Sequence, residues 1–213
     1  MTVTLEPLEL NKEFNHLASD EQIEKIVLAL EAKGISTMVF ETGSAAREYV
    51  LTLIPSGVDV YNPPSRTLDE IGLTADIESS ENFQPIRSRL SSLNRTTQQG
   101  EIRKLISSPD VVIGSVHAIT EQGEVLIASA SGSQLGSAAA GAAKVIWVVG
   151  TQKLVRTLEE GFRRIREYSY PLENIRTLQA YGKPSAVNKI LVVSGEQQSG
   201  RITILFVKEN LGF

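Results

Sequence analysis

The stretch Asp110 to Lys153, DVVIGSVHAITEQGEVLIASASGSQLGSAAAGAAKVIWVVGTQK, constrains the fold more than any other, because it alternates short apolar runs with turns rich in Gly and Ser. Val111 to Ile113 reads as a buried strand, Ala118 to Thr120 and Val125 to Ala128 as a hairpin around Gln122-Gly123, and Val145 to Val149 as another buried strand. Between the last two lies SASGSQLGSAAAGAA, small enough for its backbone to approach a sheet, a helix or a ligand closely. That is where a binding site is expected.

The rest of the chain supplies the helices and strands that such a core needs. Ser19 caps a helix carrying Ile23, Ile26, Val27 and Leu30, with Gln22 in the capping-box position and Gly34 past its end. A strand over Thr37 to Phe40, the turn Glu41-Thr42-Gly43-Ser44 and a helix over Ala45 to Ile54 make half of a βαβ unit. Val58 to Tyr61 is a further strand. Pro63-Pro64 then forces an extended entry, and Thr67 with Glu70 forms a capping box for a short helix. Helices follow over Pro85 to Leu93 and Gln98 to Ser107. After Lys153, a helix is expected with Leu154, Leu158, Phe162 and Ile165 inward and the arginines between Arg156 and Arg166 as a solvated face. Tyr170-Pro171 opens another helix. Asn188 to Val193 and Ile202 to Val207 are expected to pair as the last two strands. The predicted architecture is α/β: an open, mainly parallel Rossmann-like sheet with antiparallel hairpin additions, in a single domain over 1–213 with 1–34 as a helical extension.

Composition excludes several classes of function. A formal charge of −4 over 213 residues argues against general nucleic-acid binding, which wants a concentrated basic face. With no cysteine there is no disulfide, thiolate metal site, cysteine nucleophile or cysteine-held cluster. Two histidines far apart in sequence do not suggest a metal site. The opening MTVTLEPLELNKEF lacks the pattern of a secretory signal, and the longest apolar region, Ala138 to Gly150, is shorter than the ~20 residues of a membrane span. A cytoplasmic protein without membrane insertion is expected. GSQLGSAAAG has the wrong spacing for a dinucleotide fingerprint and no GxxxxGK[ST] occurs, so no cofactor is expected.

Ligands of open α/β sheets collect beyond the carboxyl ends of strands, where Gly and Ser turns lead into helices. Two turns fit: Thr42-Gly43-Ser44, which a plain helix cap explains equally well, and the turn after Ser129 with Ser131, Gly132, Ser133 and Gln134. Gly114 and Ser115 follow a central strand. Lys153 and Lys189 are basic residues where an anion could be met, Lys153 otherwise a solvated helix start. His117 and Glu121, an even number of residues apart, would share a strand face and a proton if the strand is regular, which makes them the candidate catalytic pair, the plainer reading being a solvated edge pair.

PPSRTLDEIGL, GSVHAITEQGEVLIAS, KVIWVVGTQKLV and the closing ILFVKENLGF together resemble the LUD (lactate utilisation domain) proteins, a likeness running from about Ile35 to the C-terminus. The resemblance implies the fold shared by glucosamine-phosphate and ribose-phosphate isomerases and the CoA transferases. It also implies a bacterial setting in lactate or related carboxylate utilisation with iron–sulfur protein partners, a small anionic, acyl or phosphorylated metabolite as ligand, and room for a homo-oligomer. The alternative function is an isomerase or acyl/CoA transferase-like enzyme of the same fold using Glu121 or Glu41 as base.

Overall fold

The computed structural model describes residues 10–213. The first nine residues of the stretch read for a secretory signal, which also begin the expected helical extension, lie outside the described residues.

Six parallel strands form the main sheet in the order β1-β10-β7-β4-β2-β3. They are β1 (Ser36–Phe40), β2 (Asp59–Tyr61), β3 (Gln84–Pro85), β4 (Val111–Gly114), β7 (Lys144–Gly150) and β10 (Ile202–Val207). Alternation along the central strands divides the core in two. Val145, Trp147 and Val149 of β7, with Ile202, Ile204 and Phe206 of β10, face one cluster. Ile146, Val148, Leu205 and Val207 face the other. On the first face pack Ile23, Ile26 and Leu30 of helix α1 (Asp20–Glu31), whose N-cap Ser19 accepts from the Gln22 amide at 3.2 Å. On the second face pack Ala46 and Val50 of α2 (Gly43–Thr52), Leu68 of α3 (Arg66–Glu70) and Leu73 and Ile77 of α4 (Leu73–Ser79). Helices α5 (Ile86–Ser92) and α6 (Gln99–Ser107) lead into β4.

A second, four-stranded sheet runs β8-β5-β6-β9, from β5 (Ala118–Thr120), β6 (Val125–Ser129), β8 (Leu154–Val155) and β9 (Lys189–Val193). The β5–β6 hairpin is antiparallel as expected, and Gly123 takes the positive φ of +77° its turn requires. Ile119, Val125 and Ile127 join the first core of the main sheet, while Ala118 and Leu126 meet Ile165 on the opposite face. That face is covered by a helical run made of α7 (Leu158–Arg164), a π turn (Ile165–Ser169) and α8 (Tyr170–Tyr181).

Three expectations about elements are corrected. Residues 188–193 and 202–207 do not pair: β9 lies antiparallel to β6, whereas β10 inserts between β1 and β7, the segment 194–200 carrying the chain from one sheet to the other. Both runs satisfy a strand pattern, but the pattern names no partner. Leu154 belongs to strand β8, and the helix starts at Leu158 behind its cap Thr157. Ser65, not Thr67, caps α3, accepting from the Leu68 amide and leaving the Thr67 hydroxyl free for other work.

Arg201, at the entry to β10, anchors the segment behind the Ser/Gly turn. Its guanidinium pairs with Glu196 at 2.7 Å and donates to the carbonyls of Ala138, Ala139 and Ala142. Removing one partner of a buried ion pair strands the other, so Arg201→Met is expected to cost about 3–5 kcal/mol in urea unfolding. A loss below about 1 kcal/mol, the range of surface pairs, would show the pair to be peripheral.

Candidate functional site

Three segments leave the carboxyl ends of neighbouring parallel strands: 62–65 after β2, 115–117 after β4 and 151–153 after β7. The last two pass directly into β5 and β8 of the second sheet, so the seam between the sheets lies at this edge. Here opens a cavity of about 530 Å³, its walls completed by the turn after β6, by Ile165 and Ser169, and by one side of α8. This is the position that open α/β sheets favour for ligands.

Lys153 forms the floor. Only 1% exposed, it lies in a single helical turn between β7 and β8, and its Nζ donates to Thr67 Oγ1 at 2.9 Å and Ser115 Oγ at 3.1 Å. The Ser115 hydroxyl in turn donates to the Val148 carbonyl at 2.7 Å. Among the described residues no carboxylate lies within ion-pairing distance of the Lys153 amine. Burial, reinforced by the nearby Arg164 cation and opposed by Glu70, holds its pKa well below the ordinary lysine range. Lys153 is therefore a desolvated amine, which corrects the expectation of a solvated helix start.

Arg164 corrects a second expectation. Instead of sharing a solvated face with Arg156 and Arg163, it is fully buried, with Nη1 donating to the His117 carbonyl and to Ser169 Oγ at 3.1 Å, and Nε to the Gln152 carbonyl. Desolvation pushes its pKa down to about 9, so it stays protonated at neutral pH. Arg156 and Arg163 do pair on the surface, with Glu160 and Glu167 one turn along. The tight turn before Lys153 depends on Gly150, because a Cβ there would sit 2.2 Å from Gln152 Oε1 and 2.7 Å from the Glu209 carbonyl.

Ser115, His117, Ser131, Ser133, Gln134 and Lys153 all line the cavity. The turn holding the serines is organised by Ser129, whose hydroxyl accepts from the Gly132 amide at 2.9 Å and donates to Gln134 Oε1 at 3.1 Å. It leads into a short π turn, Ser137–Gly141, rather than the expected regular helix. Gly132, at a φ of +85°, and Lys189 lie beside the cavity rather than in its wall, the Lys189 side chain 2.8 Å from where a Gly132 Cβ would be. Gly114 ends β4 just before the wall. Thr67, Arg66, Asp69, Glu173, Arg176 and Lys183 also line it. Thr67 was read in the sequence only as a helix cap, and nothing local marks it as a partner of the cavity floor.

The Thr42-Gly43-Ser44 turn lies outside this cavity, and its anion is internal: the Gly43 amide donates to Glu209 Oε2 at 3.0 Å while Thr42 caps α2. His117 and Glu121 do not share a proton. His117 Nδ1 accepts from the Ala128 amide at 3.1 Å, while the Glu121 carboxylate pairs with Lys25 at 2.5 Å. Glu121 stands past the end of β5, where the chain turns and the two-residue alternation stops applying. Glu41 pairs with Lys208 at 3.0 Å, so neither proposed carboxylate base faces the cavity.

His117 is held neutral, its pKa lowered to about 3 by desolvation and by the charges at Lys153 and Arg164. His117 is half-buried, and it lines the enclosed cavity. The folded pKa lies below the unfolded value of ~6.5. The stability this contributes is complete above that pH and is lost as pH falls toward 3. His117→Asn keeps an acceptor for the Ala128 amide and removes the titration. Its urea midpoint is expected to fall less than the wild type's between about pH 7 and pH 4; equal losses would contradict the assignment.

No helix among the described residues is long and apolar enough to cross a membrane. No curated protein matches the chain. Of solved structures, a DUF162 family protein from Deinococcus radiodurans is similar over 90% of this chain and 99% of that one, at 12% identity and a TM-score of 0.54, a likeness of fold. eIF2B delta from Chaetomium thermophilum is similar over 68% of this chain and 57% of that one, at 15% identity and a TM-score of 0.36. The LUD domain profile matches residues 23–210, which contain the whole main sheet and all of the cavity wall except Phe213. The chain belongs to the LUD domain family, and that membership supports a protein related to lactate utilisation.

Proposed function

We propose that this LUD domain binds a small anionic metabolite, a carboxylate, acyl or phosphorylated compound, in the cavity at the ends of β2, β4 and β7. It does so in the service of lactate or related carboxylate utilisation, alongside redox partner proteins. The observation that carries this reading is the charge of the walls: Arg66, Arg176 and Lys183 stand against Asp69 and Glu173, with the buried Arg164 guanidinium behind the wall at His117 and Ser169. The chain as a whole is acidic at −4, so the basic excess is local. A concave, partly apolar site concentrates such a field and draws in anions.

The recognition elements divide by depth. At the rim, Arg176 already holds a carboxylate, Glu173 at 2.7 Å, in a geometry an incoming acid or phosphate can share. The hydroxyls of Ser131 and Ser133 are neutral donors on the wall. The floor at Lys153, Thr67 and Ser115 meets whatever end of the ligand goes deepest.

The reading is tested by thermal shift with lactate, pyruvate, sugar phosphates and acyl-CoAs. A ligand at a hundredfold excess over its Kd adds about 2.7 kcal/mol of stability. The double substitution Arg176→Glu with Lys183→Glu is expected to abolish the shift and leave the unliganded melting temperature nearly unchanged. No shift with any of these compounds, or a shift that survives the charge reversal, would overturn it.

A further inference from the structure

Ser115 and Lys153 meet at the floor of the cavity. Ser115 sits immediately beyond β4 with its side chain on the cavity wall, 3.1 Å from Lys153 Nζ. The amine is fixed from its other side by Thr67 Oγ1 at 2.9 Å, and Thr67 is itself tied to the Leu211 carbonyl at 3.2 Å. A structural lysine at such a depth is expected to have a carboxylate partner, because an unpaired buried ammonium costs several kcal/mol. Here the partners are two hydroxyls whose own protons go to the Val148 and Leu211 carbonyls, so the Ser115 hydroxyl turns from Val148 to Lys153 when the amine takes its proton.

We propose that Ser115 and Lys153 form a catalytic pair for acyl transfer from an uncharged or anionic ester or thioester that enters the cavity. Lys153 takes the Ser115 Oγ proton as Oγ bonds to the acyl carbon. The bond from that carbon to the leaving oxygen or sulfur breaks, and the leaving group receives the proton from Lys153. Water or an acceptor alcohol or thiol then attacks the acyl-serine, passing its proton by way of the same amine back to Ser115 Oγ. No oxidant, metal or further co-reactant enters the balance. The lowered basicity of Lys153 supports this role, since an amine that is protonated throughout the neutral range cannot accept the serine proton. The charged and titratable groups acting on it are Arg164 from α7, Glu70 from α3 and His117 before β5.

The test uses p-nitrophenyl acetate and a fluorophosphonate, both uncharged, so it does not depend on the anion recognition proposed above. Intact mass and peptide mapping of the wild-type chain are expected to place one acetyl or phosphonyl group on Ser115. Lys153→Met is expected to slow that labelling by about a hundredfold or more, as loss of a general base does. Ser115→Ala is expected to remove it. Should either variant fail to fold, as judged by its melting transition, the site of the wild-type adduct decides alone. No adduct, an acetyl on the Lys153 amine with Ser115 unmodified, or equal labelling in folded Lys153→Met would each overturn the pair.

Discussion

An amine buried among hydroxyls, with no carboxylate of the described residues in reach, is the constraint on which the remaining arrangement depends. Taking a charged ammonium out of water costs several kcal/mol unless something returns the loss. Lys153 stays where it is because three strand ends converge on it: β7 delivers the lysine itself, β4 delivers Ser115, and the double proline after β2 aims α3 so that Thr67 reaches across. Arg164 places a buried cation beside it from the opposite layer and depresses the lysine's basicity further. That guanidinium, enclosed beneath an open cavity, gives the floor a positive potential and the Lys153 amine a chemistry that no surface lysine has.

The joining of two sheets makes this possible. The main sheet alone would end in loops facing water. Because the chain passes from β4 into β5 and from β7 into β8, its strand ends are walled by the hairpin, and the helical run over Leu158 to Tyr181 closes the far side. The site belongs to the seam between layers rather than to either layer. Where a comparable helix start is not part of the seam, at Thr42-Gly43-Ser44, the chain supplies its own anion, Glu209.

Much of the fold was legible in the residues, and the reasons are local. Ser19 with Gln22, the β5–β6 hairpin with its glycine, and the apolar runs of β4 and β7 each carry their own stereochemistry within a few residues. What was not legible depends on distant partners. Nothing in residues 189–193 or 202–207 says that the first adds to the hairpin sheet and the second enters the centre of the parallel one. The site divides the same way. The serine turn and Ser115 were readable from small residues after strands, whereas the depth of Lys153 and Arg164 was not, since a basic residue near a helix start is ordinarily solvated. His117 and Glu121 misled because an even separation implies a shared face only while the strand lasts, and β5 ends at Thr120.

The desolvation of Lys153 at the base of the cavity is most directly tested by NMR titration of its 13Cε resonance in chain carrying labelled lysine, assigned with Lys153→Met. A midpoint well below the ~10.4 of a free lysine side chain is expected. A midpoint at or above that value would mean a solvated or carboxylate-paired ammonium, and would contradict that desolvation.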